Sequence, residues 1–317
     1  MKAQDFIDWI SAEPRAFLAP MAGVSDACYR SMYSDSADLC YTEMVSATGL
    51  AYGSKETWAL AEPHPLEEKL AVQIFGHEPE LMAAQALALQ EKLGDKLMLI
   101  DVNMACPVAK VCKKGEGSAL LKDPKRAQAI IAALSKELDC AISAKIRTGL
   151  KKEEPLFMDF ALGLEASGAS AIALHGRSAG QAYRGESDRE AIAQLAQALT
   201  IPLIGSGDVY SYKDAQDLYD RGCKAVFVAR GSYGNPWIFE EIKELRPSDK
   251  GLKEKLACAR EHLKRAQEFN LHAGKMRKIL SWYLKGAPLA AHWRSCCMAC
   301  SSYDEFLSLI DEIESLL

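Results

Sequence analysis

No apolar run in these 317 residues approaches the ~20 that a membrane span requires, and Met1 to Trp9 lacks the hydrophobic stretch of a secretory leader. The expectation is a soluble cytoplasmic protein with no membrane partner. Equally missing are a Walker A run and a G-x-G-x-x-G turn after the first predicted strand, which sets aside the P-loop and the Rossmann turn as holders of a nucleotide. The ten cysteines, at 28, 40, 106, 112, 140, 223, 258, 296, 297 and 300, lack the dense spacing of a disulfide framework and read as free intracellular thiols. Cys296, Cys297 and Cys300 cluster, but they are one ligand short of a four-cysteine site and have no neighbouring CxxC, so no metal is expected. Nothing in the sequence points to a protein partner.

Acidic residues are scarce in one segment. The net charge of −5 taken alone argues against nucleic acid. Residues 250 to 300, however, hold eleven Lys or Arg against three Glu, whereas the last seventeen residues carry five acids and no base. Such asymmetry is expected when one module meets a polyanion and another does chemistry. A solvated helix face would give the same count.

What is present is a repeat of short β-prone runs at helix-length intervals: Ala16 to Ala22, Leu39 to Met44, Leu70 to Gly76, Leu97 to Ala105, Ala141 to Arg147, Ala171 to Arg177, Pro202 to Val209 and Ala225 to Gly231. Between them, Glu80 to Leu93, Pro124 to Leu138, Met158 to Ser167 and Tyr212 to Arg221 show helical spacing, several with Asp, Ser or Pro start signals. Eight strand-helix units predict an α/β fold of the (β/α)8 TIM-barrel type. After Pro236-Trp237 only helical spacing remains, broken at Gly251, Gly274, Gly286 and Pro288. This predicts a catalytic barrel over 1–245 and a small all-helical domain over 246–317, joined near Arg246-Pro247-Ser248.

Barrels place their chemistry at the carboxyl ends of the strands. Those ends are polar here: Gln73, Asn103 followed by Cys106-Pro107, Lys145 and Arg147, His175 and Arg177, Gly205-Ser206-Gly207-Asp208, and Arg230-Gly231. Gly205, Gly207 and Gly231 would let backbone N–H groups approach a phosphate closely, at the strand ends where barrels most often bind one. Lys145 could set positive charge against an edge that gains electrons; a lysine reaching solvent would look the same.

These residues stand in ordered motifs: Ala-Pro-Met-Ala-Gly at 19–23, Gln73-Ile-Phe-Gly, Asn103-Met-Ala-Cys-Pro-Val-Ala-Lys-Val, Lys145-Ile-Arg-Thr-Gly, His175-Gly-Arg with Gln181 and Tyr183, Gly-Ser-Gly-Asp at 205–208, and Ala-Arg-Gly-Ser-Tyr-Gly-Asn-Pro-Trp-Ile-Phe at 229–239. In that order they resemble the tRNA-dihydrouridine synthases, bacterial B-like branch. Met276-Arg277-Lys278, Trp282 to Gly286 and Arg294 are similar to that family's helical tRNA-binding domain. The resemblance implies FMN held by Pro20, Met21, Ala22, Gln73, Lys145, His175, Ser206, Gly207, Asp208, Ala229, Arg230 and Gly231, with NADPH as reductant. It implies Cys106 as the active-site acid and tRNA as partner. Asn103, Arg147, Arg177 and Tyr183 would meet the substrate, with Arg277 and Lys278 on the helical side. Three positions depart from the family pattern: Ala105 and Ala229 stand where Gly is usual and Ser206 where Asn is usual.

In that chemistry hydride adds to C6 of uracil and a proton to C5, so an acid is needed beside the hydride donor. A thiol with an ordinary pKa near 8.5 is still protonated at neutral pH and suits the role. Lys110, Lys113 and Lys114 could instead favour a thiolate nucleophile. The stretch Lys113 to Ser118 is either a lid or a plain surface loop, and Trp282, Tyr283 and Trp293 are either core or stacking platforms. Two other functions remain open at this level: an FMN barrel acting on a free pyrimidine, like a dihydroorotate dehydrogenase, and a non-catalytic RNA-binding barrel.

Overall fold

The computed structural model describes residues 1–317. Eight parallel strands close into a barrel: β1 Arg15–Leu18, β2 Leu39–Tyr41, β3 Leu70–Phe75, β4 Leu97–Asn103, β5 Ala141–Arg147, β6 Ala171–His175, β7 Leu203–Ser206 and β8 Ala225–Val228. Each pairs with the next, and β8 returns to β1 in register from Arg15↔Ala225 to Leu18↔Val228, so closure leaves no open edge. All seven residues of β4 are buried, because alternate side chains fill the barrel or pack under the helices.

The larger outer helices are Pro79–Leu93, Pro124–Glu137, Phe157–Ala166, Arg189–Ala198 and Tyr212–Asp220, and in three of them a side chain satisfies a free N–H group of the first turn. Asp123 accepts from Arg126 N–H with Pro124 behind it, Asp188 accepts from Ala191 N–H and Ser211 from Asp214 N–H. At the amino-terminal end of the strands, helix Ala3–Ala12 buries Phe6 and Ile10, and its Trp9 stacks on Phe17 at 5.8 Å.

Several predicted strands ran too far. The first ends at Leu18 rather than Ala22, and the seventh at Ser206 rather than Val209. Their apolar or glycine-rich continuations leave the sheet and bend over the barrel mouth. The units after β1 and β2 also lack long helices, having Ala27–Ser31, Ala47–Ala51 and Lys55–Leu60 in their place.

Beyond β8 come helices Ile238–Glu244, Leu252–Glu268, Met276–Tyr283, Ala290–Ala299 and Tyr303–Glu314. Buried apolar residues form one continuous cluster from Phe6 to Ile313, so these helices share a core with the barrel. Tyr283 and Trp293 lie in that core, and Cys297 and Cys300 turn their sulfurs to the carbonyls of Arg277 and Cys296. Where the two parts meet, Trp282 stacks on Tyr233 at 3.7 Å, Lys275 pairs with Asp26 at 3.0 Å, and Arg265 donates to the Ser31 carbonyl. No helix is long and apolar enough to cross a membrane.

Candidate active site

A cavity of about 420 Å³ opens at the carboxyl ends of the strands. One side is apolar, with Met21, Val24, Met44 and Phe227, and the opposite side carries the polar strand ends. Of the residues singled out from sequence, Pro20, Met21, Ala22, Gln73, Asn103 and Cys106 line it. So do Lys145, Arg147, His175, Tyr183, Ser206, Gly207, Asp208, Ala229, Arg230, Gly231 and Lys278. Lys278 arrives from the helical segment, its ammonium 5.6 Å from the ring of Trp282.

Cys106 is placed by Asn103. The Asn103 side-chain oxygen accepts from the N–H groups of Ala105 (3.2 Å) and Cys106 (2.9 Å), and its amide nitrogen donates to Gln73 Oε1 at 2.8 Å. Gln73 Nε2 in turn donates to Asp101 Oδ2 at 2.6 Å, and the Ser143 hydroxyl to Asp101 Oδ1 at 2.6 Å. Asp101 is fully buried, and burial pushes its carboxyl up to about 6 despite those two bonds. Four inward residues of three adjacent strands, Ser143, Asp101, Gln73 and Asn103, thus form one chain of bonds ending at the thiol's own backbone. Sequence reading missed Asp101, although an acid at the centre of an apolar strand, two residues before Asn103 and on the same face, was a usable signal.

Half-burial raises the Cys106 thiol above its ordinary pKa, with the charges of Arg147 and Lys145 opposing weakly. The resident form at neutral pH is therefore the thiol. On the adjacent strand, in register with Asn103, Lys145 is pulled down to about 8 by burial, and no hydrogen bond holds its ammonium. His175 lies far below the usual imidazole range because of burial and the charges of Lys145, Arg147 and Arg177, so its ring is neutral. Its Nε2 is buried without a partner. A buried polar atom without a partner is costly, and His175 Nε2 and the Lys145 ammonium are both left without one in the cavity wall.

One assignment is corrected. Arg177 does not reach the cavity: its guanidinium grips Asp208 in a bidentate pair (2.9 and 2.6 Å) and donates to the Arg184 and Gly185 carbonyls, which consumes the donors a substrate would need. Arg277, expected on the helical side, lies there outside the cavity, its Nε donating to the Cys300 carbonyl at 2.6 Å. Arg147 stays in the wall but uses Nε and Nη1 on the carbonyls of Ala105, Ser178 and Ala182, tying two loops together.

Asp208 sits at φ +51 and accepts from Arg177, Arg230 (3.0 Å) and Ser187 N–H (2.9 Å). Burial alone would raise this carboxyl, and those donors hold it low instead. Arg230 is thereby fixed between the rings of Tyr183 and Tyr210, at 5.2 and 5.5 Å. Tyr210 was not foreseen. Gly207, at φ +110, admits no side chain, since a Cβ would lie 2.5 Å from Ser187 Oγ and 2.8 Å from His175 Cδ2. Ala229, by contrast, has φ −107, a backbone that does not demand glycine. The Lys113 to Ser118 stretch is anchored at its end: Ser118 N–H donates to the Cys106 carbonyl at 3.0 Å, and a Cβ at Gly117 would press on that same carbonyl.

The profile of the family described as Dihydrouridine synthase (Dus) matches residues 17–316, from the third residue of β1 to just past the last helix. The chain belongs to the dihydrouridine synthase family. Relatives of similar length agree. A protein of Synechocystis sp. described as a probable tRNA-dihydrouridine synthase 1 is 35% identical over 96% of this chain and 87% of its own. The tRNA-dihydrouridine synthase B of Pseudomonas aeruginosa is 34% identical over 89% of this chain and 87% of its own. That of Xanthomonas axonopodis pv. citri is 32% identical over 94% and 92%. The family is one of oxidoreductases.

Proposed function

We propose that this protein reduces the C5=C6 bond of uridines in tRNA, with FMN in the barrel cavity and NADPH as the source of electrons. The observation that carries the reading is Cys106: a protonated thiol, held by Asn103, beside Lys145 and His175 on the next two strands. Bound FMN supplies hydride from N5 to C6 of the uracil.

The chain's residues do the rest. Cys106 Sγ delivers its proton to C5, and the Asn103–Gln73–Asp101 bonds keep that thiol on one bearing. Lys145 and the neutral His175 hold the polar edge of the flavin, while Met21, Val24 and Phe227 cover its ring from water. Ser206, Gly207, Arg230 and Gly231 receive the FMN phosphate, with Asp208 fixing Arg230 and turning no negative charge toward it, because its oxygens already accept from two guanidinium groups. Asn103 keeps one N–H, and Arg147 its second Nη, for carbonyls of the uracil. The barrel over 1–245 does the chemistry, the helices over 246–317 hold the RNA, and such a substrate places the protein in the cytoplasm. The uridine leaves its stack to enter, and Tyr183 and Lys278 stand at the mouth to receive its neighbours.

The test is nucleoside mass spectrometry of tRNA from cells lacking the protein, complemented with wild type or Cys106→Ala. Dihydrouridine disappears from at least one tRNA position and returns only with wild type. An unchanged dihydrouridine content at every position, or a purified protein that is colourless and takes up no FMN, overturns the reading.

A further inference from the structure

A second and larger recess adjoins the catalytic cavity. It lies between the loop after β8 and the helical segment and has a volume of about 800 Å³. The two share a wall, since Tyr210, Arg230, Gly231 and Tyr233 line both. From the helical side Lys250, Lys255, Lys285 and Arg294 face this recess. None of these four is ion-paired; the pairs of the helical segment are made by Arg246, Arg260, Arg265 and Lys275 instead. The one acid in the lining, Glu241, already accepts from Asn235 Nδ2 (3.3 Å) and Ser248 N–H (3.0 Å). Trp237 and Tyr210 add aromatic faces to the same wall.

We propose that this recess binds the adenosine 2′-phosphate half of NADPH. The inference rests on the flavin reading of the neighbouring cavity. A nicotinamide that reduces the flavin must lie inside the 420 Å³ cavity, which leaves no room there for the rest of the dinucleotide. The recess is the neighbouring space, meeting the cavity at Arg230 and Tyr210, over which the rest of the dinucleotide would pass. A 2′-phosphate is a dianion absent from NADH, and unpaired cations around a half-enclosed recess meet that charge where it is least screened. Adenine finds the aromatic wall. The recess has the size of a small-molecule site, within the roughly 300–1,000 Å³ such sites span, and an RNA duplex is too wide to enter it.

The probe is 2′,5′-ADP, titrated calorimetrically into the full-length holoenzyme beside 5′-AMP. Wild type binds 2′,5′-ADP at least tenfold more tightly than 5′-AMP. Lys255→Glu and Arg294→Glu abolish the preference, and Lys255→Arg keeps it. In anaerobic bleaching of the bound flavin, the two Glu variants need at least tenfold more NADPH for half-saturation and reach the wild-type rate at saturation. Equal 2′,5′-ADP affinity in wild type and Lys255→Glu overturns the proposal. Loss of tRNA affinity in those variants with 2′,5′-ADP binding intact overturns it too, and gives the recess to a single RNA strand. A colourless protein that takes up no FMN overturns the flavin reading and this inference with it; a flavoprotein indifferent to 2′,5′-ADP overturns this inference alone.

Discussion

A half-buried thiol keeps its proton because the thiolate would surrender hydration that the surrounding wall does not replace. At Cys106 this raises the pKa, so the proton-donating form persists through neutral pH and is lost only as pH climbs past the raised value. In single-turnover reduction of tRNA the rate should therefore stay level through neutrality and fall above the ordinary thiol range. Cys106→Ala should cost about 10²–10⁴-fold in that step while NADPH still bleaches the flavin at the wild-type rate. Lys145 gives the opposite sign. With its pKa pulled down to about 8, the free protein at pH 9 holds it mostly neutral, and an electron-rich flavin edge restores the charge. FMN binding at pH 9 should then take up close to one proton, measured calorimetrically in buffers of different ionisation enthalpy. Lys145→Met should remove that uptake, and at pH 6.5 this group should contribute none. The sequence disclosed Cys106, Lys145 and His175 because strand-end position alone aims them at the mouth. It could not disclose that Arg177 folds back onto Asp208, because a side chain's partner 31 residues away is set by packing and not by local pattern.

At the scale of elements, all eight strands and four of the five long helices between them were legible, since each carries its own period and several a start signal; Arg189–Ala198 was not singled out. Strand ends were less so. Residues 19–22 and 207–209 are apolar or glycine-rich enough to extend a strand, but they leave the sheet where tertiary contacts offer better hydrogen bonds. One such contact is the Met21 N–H bonded to Ser25 Oγ at 2.9 Å. The junction of barrel and helices depends on Gly234, at φ +65, where a Cβ would strike the Trp282 carbonyl. Gly234→Ala should incur backbone strain of about 1–3 kcal/mol and displace Trp282 from Tyr233. The expected result is a lower Tm together with weaker tRNA binding, whereas the flavin's absorbance maximum, which reports the barrel cavity, should stay unchanged.

For the whole molecule, the sequence disclosed a basic segment but not which of its charges are free. Arg260 is matched by Asp311 and Glu314, Arg265 by Glu261 and Lys275 by Asp26. The acidic last helix thus neutralises part of the basic segment it follows. Cations such as Lys278, exposed and without an ion-pair partner at the cavity mouth, remain to release counterions from RNA. tRNA affinity should fall linearly with salt on logarithmic axes, and Lys278→Glu should shallow that slope by about 1 or more. Arg277→Glu should instead lower Tm, since it breaks the bond to Cys300.

Barrel closure has a consequence in time. The seam where β1 meets β8, with Ala19 N–H bonded to the Val228 carbonyl at 3.0 Å, lies directly under the loops that hold Met21 and Arg230. Joining ends some 200 residues apart is the slow step of such a topology. On the ribosome, residues 1–224 carry Cys106, Lys145 and His175 yet have no pocket. The emergence of Ala225–Gly231 closes the barrel and completes the cavity wall, so on the flavin reading proposed above FMN capture should mark the completion of folding rather than guide it.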